Sequence, residues 1–415
     1  MVTTFKERPE ITARVFKSIV QQVTEIGVPA HVFVGTGDYH DERAIDQCMQ
    51  SVQCAMPIQV TMIRQTQPGK RIAIGRNLRA MLRHGIGGDT PIVFMDGDSL
   101  LEPTCLAKCL PFFKLFPAMH ALTTNESAIV HGPAWIRRWI EMRFVQRHLG
   151  MLSNGLSDKV LTLTGRMSVF RARAILNLKF IRTVEADHLN HWLWNRFRFL
   201  SGDDKSTWYY LLGQGALMGY VPDAMVTTIE HIEGNGRERM LQNYMRWSGN
   251  MLRNGQRAIA LGPARVGLFT WWCLVDQRVS MWTTLIGPVT VIASILFISP
   301  GFLIFYIAWI ALTRFVMSVA FFRNMGRVYL TLPAMLYANQ ILNSVLKVYI
   351  LFRLPKQRWS NRNNQRVELS AGPAWKVATK KFMAGYITLF WVMLFVFIIL
   401  VYLKLISPIR LDLVL

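Results

Sequence analysis

The sequence predicts an α/β domain built on a largely parallel sheet, followed by an α-helical transmembrane region with interfacial helices. Three observations carry this. Strand-like and helix-like stretches alternate through the first 120 residues, as in parallel α/β sheets. Turns rich in Gly and Asp follow the strand-like runs, where such sheets bind ligands. From Val279 onward the chain contains long apolar runs of membrane-spanning length.

Along the chain, residues 1–5 form the end of a first strand, and residues 12–26 carry helical periodicity. Residues 31–34 are a short apolar strand that runs into Gly35-Thr36-Gly37-Asp38. Residues 58–63 give a further strand and residues 71–84 a helix. Residues 91–95 form an apolar strand ending in Asp96-Gly97-Asp98. Residues 132–152 mix Trp135, Trp139 and Phe144 with Arg137, Arg138, Arg143 and Arg147, a pattern suited to an interfacial helix. A second such stretch covers residues 244–272. The expected division is a cytoplasmic catalytic domain over 1–240, interfacial helices over 241–278 and a transmembrane hairpin over 279–322. An interfacial or re-entrant helix over 328–352, a basic loop over 353–382 and a last span over 385–404 complete it.

The chain has 415 residues, with 47 Lys+Arg against 25 Asp+Glu, a formal net charge of +22. Such an excess suits a membrane surface, an anionic substrate or nucleic acid. The uneven apolar distribution favours the membrane and its lipid, and no nucleic-acid partner is expected. Arg323, Arg327 and the basic residues between Arg353 and Lys381 should lie on the cytoplasmic side. Residues 328–352 hold Asn339, Gln340, Asn343 and Lys347, and a full crossing there would place the two basic segments on opposite sides. An interfacial or re-entrant path avoids this and puts the C-terminus outside the cytoplasm. The five cysteines show no zinc-type spacing and are expected to be reduced core thiols.

Three motifs carry chemistry. Asp96-Gly97-Asp98 can present oxygen ligands to a diphosphate-bound Mg²⁺ or Mn²⁺, with Asp98 and Asp96 as the metal residues. In Gly202-Asp203-Asp204-Lys205 the adjacent carboxylates repel. One pKa therefore tends to rise, as suits a general base, although helix capping also favours Asp there. Gln242-Asn243-Tyr244-Met245-Arg246-Trp247 puts Gln, Arg and Trp at the QxxRW spacing. The Arg can pair with a diphosphate and the indole can stack on a sugar ring.

This order of motifs ahead of membrane helices resembles the processive family 2 glycosyltransferases, which include the cellulose, chitin and hyaluronan synthases. Gly35-Thr36-Gly37-Asp38-Tyr39-His40, Leu163-Thr164-Gly165-Arg166-Met167-Ser168 and Arg246-Trp247-Ser248-Gly249-Asn250-Met251 most resemble the bacterial alginate (mannuronan) synthase catalytic subunits. The resemblance implies a GT-A-type mixed sheet and a nucleotide-sugar donor added to a growing polysaccharide. By position, Asp204 would be the general base and Asp203 its neighbour. Thr4, Glu7, Asp38, Lys70, Arg71, Asp96 and Arg246 would contact the donor. Arg166, Gln242, Trp247 and Trp359 would contact the acceptor, Trp359 within Lys356-Gln357-Arg358-Trp359-Ser360-Asn361-Arg362, which resembles a Trp-Gly-Thr-Arg motif.

UDP-using relatives carry Asp-Asp-Gly where Gly35-Thr36-Gly37 stands here. The resemblance therefore implies GDP-mannuronic acid, with Asp38 a candidate for guanine. It also implies the bacterial inner membrane, periplasmic export proteins and a co-subunit with a cyclic-di-GMP-binding PilZ domain. Relatives have membrane helices ahead of the catalytic domain, so a truncated or misassigned start is expected. The alternatives are a UDP-sugar polysaccharide synthase and a catalytically silent membrane scaffold.

Overall fold

The computed structural model describes all residues except 66, 68, 328, 360–364, 367–372 and 407–415, and gives the backbone alone for 358, 359, 365 and 366. Its centre is an eight-stranded sheet. The parallel half holds β1 (Val2–Thr3), β2 (Ala30–Thr36), β3 (Ile58–Arg64) and β4 (Pro91–Asp96) in the order β3-β2-β1-β4. β1 is short but central, with Val2 opposite Val34 on one side and Met95 on the other. The other half adds β5 (Ser99–Leu101), β6 (Met119–His131), β7 (Met167–Arg171) and β10 (Leu217–His231) in the order β7-β6-β10-β5. β7 runs antiparallel to both β4 and β6, which makes the sheet mixed.

Successive strand residues point to opposite faces, and both faces are covered. Phe33 and Phe94 pack on one side, while Val34 and Met95 pack on the other. α1 (Pro9–Ile26), α2 (Tyr39–Ser51) and α4 (Cys105–Leu115) cover the second face. α3 (Lys70–Arg83), α7 (Leu178–Ala186) and α8 (Asp203–Gly213) cover the first, after the short α6 (Ala172–Ile175). α1 starts at Pro9, whose fixed φ suits the first helical position, and stops at Gly27, which takes φ 69°. β8 (His188–His191) and β9 (Asn195–Arg198) form a separate hairpin. All five cysteines are free.

α5 (Ala134–Gly155) packs on β6 and β10 and also touches α12 and α13, so the first arginine-rich stretch is a bridge between sheet and helices. The second is broken into the end of α9 (Gly236–Ala260), α10 (Pro263–Val266) and the start of α11 (Leu268–Phe297). α12 (Phe302–Phe322) coincides with the expected second span. α13 (Leu332–Leu351) packs against α9, α11 and α12. After the paired β11 (Arg358–Trp359) and β12 (Gln365–Arg366), α14 (Ala374–Tyr402) begins eleven residues before the expected start of the last span at 385. Lys376, Lys380 and Lys381, expected in a loop, therefore form its first turns. Among the described residues α11, α12 and α14 are long and apolar enough to cross a membrane. Their outward faces leave Phe305 76% and Met393 63% exposed, which suits hydrocarbon rather than water.

Candidate active site

A cavity of about 740 Å³ opens where the carboxyl ends of β4 and β10 meet the starts of α8 and α9. Backbone bonds fix the β4 end. Gly97 N donates to Thr3 O at 2.9 Å, Asp96 N to Arg166 O at 3.2 Å and Ile229 N to Asp98 O at 2.9 Å. A side chain at Gly97 would meet Thr4 Cβ at 2.8 Å and Thr3 O at 2.9 Å, so the turn needs glycine. Asp96 and Asp98 both border the cavity.

The α8 start faces them. Gly202 sits at φ 81° against Asn250, and Asp203 and Asp204 fill the first helical turn, where the helix dipole favours carboxylates. Lys70 Nζ joins the two halves, 2.7 Å from Asp96 Oδ1 and 3.0 Å from Asp203 Oδ2. Burial works against the Asp203 carboxylate, but Lys70 and Arg71 outweigh it and hold its pKa below the ordinary value. Burial lifts Asp204, and the Asp203 charge lifts it further. The pair thus contains one carboxylate held ionised and one made more basic.

α9 presents Glu238, Gln242, Arg246 and Asn250 at four-residue intervals, one helix face along the cavity. Gln242 Nε2 donates to Glu238 Oε1 at 2.8 Å. Burial and the like charge of Arg239 push the Arg246 guanidinium below its usual range. Trp247 borders the cavity and stacks on Trp139, with ring centroids 5.8 Å apart and 14° between planes. Arg166 is gripped by Glu126 at 3.4 Å and Glu230 at 3.2 Å. Burial opposes its charge, but the two glutamates raise its pKa overall. Glu7 borders the cavity beside Phe5 and Lys6.

Some expected residues lie elsewhere. Arg71 points into the core, donating to Val184 O at 2.8 Å, Ser201 O at 3.0 Å and Ser206 Oγ at 2.9 Å. It clamps the segment that carries Asp203 and Asp204, because adjacent helix positions diverge by about 100° while Lys70 takes the cavity side. Thr4 lies buried beneath the Gly97 turn, outside the cavity lining. Asp38 caps α2, accepting from His40 N at 3.0 Å and Asp41 N at 3.1 Å, and is also outside that lining. The Trp359 side chain and Arg362 lie outside the described residues. Sequence reasoning missed Glu230, Arg239 and Asn250 in the cavity wall and Glu126 behind it. Glu230 stands near the carboxyl end of β10, so the strand-end rule would have found it had this 15-residue strand been recognised.

Among the described residues no three His, Cys, Asp or Glu side chains converge as a complete metal cage. Two oxygen-only residues bordering the cavity still fit a hard divalent cation, which commonly takes one or two carboxylates and completes its shell with phosphate and water.

A mixed sheet with an Asp-x-Asp turn, a carboxylate pair and an Arg-Trp helix on one cavity defines a sugar-transferring enzyme of the GT-A type. The model of the family "Glycosyltransferase like family 2" matches residues 1–250, and the chain belongs to that family. It is 37% identical over 394 residues to Glycosyltransferase alg8 of Pseudomonas syringae pv. tomato, covering 93% of this chain and 80% of that protein. It is 36% identical over 380 residues to Glycosyltransferase alg8 of Azotobacter vinelandii, covering 90% and 76%. The mannosyltransferase PcManGT from Pyrobaculum calidifontis, solved with GDP-Man and Mn²⁺, shares the fold. Its TM-score is 0.50 at 15% identity, over 84% of this chain and 85% of that one. The chain is a glycosyltransferase, and its span-length helices and these relatives make it a membrane protein.

Proposed function

We propose that this enzyme polymerises GDP-mannuronic acid into β-1,4-polymannuronate, the precursor of alginate, with inversion at the anomeric carbon, and passes the product across the bacterial inner membrane. The observation that carries the reading is the joining of Asp96, Asp98, Asp203, Asp204, Arg246 and Trp247 around one cavity next to span-length helices, in a chain that aligns with the alg8 glycosyltransferases over nearly its whole length.

Each residue then has a task. Asp204, made more basic by burial and by Asp203, takes the proton of the acceptor hydroxyl as that oxygen attacks the anomeric carbon. The bond from that carbon to the diphosphate breaks and GDP leaves. Asp96 and Asp98 would hold Mg²⁺ or Mn²⁺, which when bound neutralises charge developing on the leaving diphosphate. Arg246 binds the diphosphate, whose charge relieves its crowding with Arg239. Lys70 keeps the donor and base halves at a fixed separation. Trp247 offers an indole face to the acceptor sugar, with Gln242 and Arg166 bordering the same space. A PilZ-domain co-subunit and periplasmic export proteins complete the proposed assembly.

The test uses membranes containing the full chain, GDP-mannuronic acid and Mg²⁺ or Mn²⁺, with lyase-sensitive polymer as the readout and UDP-sugars as competing donors. Wild type should make polymer. Asp204→Asn should lose about 10²–10⁴-fold in rate, the usual worth of a general base, while still binding donor. Polymer from UDP-sugars alone would overturn the donor, and an active Asp204→Asn would overturn the base.

A further inference from the structure

The short segment between β9 and α8 delivers Asp203 and Asp204 to the cavity, and its backbone is held from far along the chain. Phe199 N donates to Asp187 O at 2.9 Å. The next amide turns to a different partner. Leu200 N donates to Gln357 Oε1 at 2.9 Å, and Gln357 Nε2 donates to Arg198 O at 3.0 Å. One side-chain amide thus engages an N–H and a C=O two residues apart, as a neighbouring strand would. Gln357 is buried, and 157 residues of chain separate it from Leu200.

A second set of bonds returns to the same place. Ser201 Oγ donates to Asn250 Oδ1 at 3.0 Å, and Asn250 also packs on Gly202. The buried Arg253 donates through Nη2 to that Asn250 oxygen and through Nη1 to Leu354 O at 2.8 Å. The circuit closes, since Leu354 lies three residues before Gln357. Trp194 Nε1 adds a bond to Phe352 O at 2.9 Å. Residues 352–357 follow α13 and lie beyond residues 1–250, the part matched by the family. Leu354 already packs with Trp194, Phe197 and Phe199 in an apolar cluster, which supplies cohesion. Buried polar bonds add little net stability, but they specify one geometry. The geometry they specify here is the approach to α8.

We infer that Gln357 is a positioning residue for the base, fixing through Arg198 and Leu200 where the start of α8 sets Asp204 across the cavity from Asp96 and Asp98. The inference deepens the proposed function and rests on its reading of Asp204. The β4 turn that carries Asp96 and Asp98 is fixed by bonds to Thr3, Arg166 and Ile229, none of which runs through residues 352–357. Misplacement of the base should therefore slow transfer without loosening the donor.

The test measures kcat and donor KM for the full chain in membranes, with the donor that wild type polymerises. Gln357→Leu should lower kcat about 10- to 100-fold, the usual cost of a small misplacement, and leave donor KM within about twofold. Gln357→Glu keeps the acceptor for Leu200 N and loses the donor to Arg198 O, so its kcat should fall between. It decides the matter where the leucine variant does not fold. In an Asp204→Asn background, Gln357→Leu should add no further loss, because the residue acts through that carboxylate. Wild-type kcat in a folded Gln357 variant, a donor KM that rises in step with the lost kcat, or a full additional loss in the double variant would overturn the inference. An inactive Asp204→Asn beside an unaffected Gln357→Leu overturns this inference alone. An active Asp204→Asn overturns the base reading and takes this inference with it.

Discussion

β2 and β4 flank β1 in the parallel half of the sheet, and each ends in a turn containing Gly and Asp. The β4 turn borders the cavity with Asp96 and Asp98. The β2 turn is filled from within. Thr36 Oγ1 donates to Glu42 Oε1 at 2.7 Å, and Arg64 Nε donates to the same oxygen at 2.8 Å. Asp38 caps a helix, and Asp41 accepts from Lys6 N at 3.0 Å and Gly37 N at 3.2 Å. Strand topology therefore tells where ligands can bind, and the next helix decides whether the turn is open. At β2 the following helix supplies Glu42 and Asp41 to close it. At β4 the chain continues into β5, whose edge position leaves the turn accessible.

This contrast can be broken by experiment. Asp98→Ala should have the largest effect, cutting transfer about 100-fold, roughly 3 kcal/mol, and shifting the metal titration to higher concentration. An unchanged metal titration would remove the β4 turn from the donor site. Asp203→Asn comes next. It removes the like charge that helps to raise Asp204, so Asp204 loses its proton at lower pH. The acidic limb of the kcat–pH profile should move to lower pH, and a limb that stays fixed would detach Asp203 from the base. Asp38→Ala should cost about 1 kcal/mol of stability through the lost helix cap and leave donor KM unchanged. A raised KM would show that the β2 turn meets the nucleotide after all. Glu42→Gln should lower the melting temperature only slightly, since the amide can still accept from Thr36 and Arg64 is half exposed, and should not alter donor preference. Acceptance of a different nucleotide by this variant would show that the filled turn acts as a specificity filter.

Much of the catalytic domain was legible because its signals are local. β2 and β4 are apolar runs ended by Gly or Asp, and QxxRW lies within a single helix. The Asp96–Lys70–Asp203 link was not, because its members are far apart in sequence and meet only once α3 and α8 pack on one sheet face. The resemblance places both Lys70 and Arg71 at the donor, yet the first turn of α3 sends the two in different directions. The early start of α14 was obscured by Lys376, Lys380 and Lys381. Charge marks a membrane boundary but does not end a helix. The polar residues of α13 set it apart in the sequence, though its packing against α9 could not be foreseen without the fold.

α5 rests on β6 and β10, and its residues Ile136, Ile140 and Met142 share one apolar core with Phe321 of α12 and Leu336 of α13. Where α12 crosses a membrane, this shared core would carry a change in its tilt to the sheet that holds the cavity. Tilt is how a spanning helix adjusts to the thickness of the surrounding hydrocarbon. The rate of sugar transfer should then follow the acyl-chain length of the vesicles around the protein, making the catalytic centre a gauge of its own bilayer.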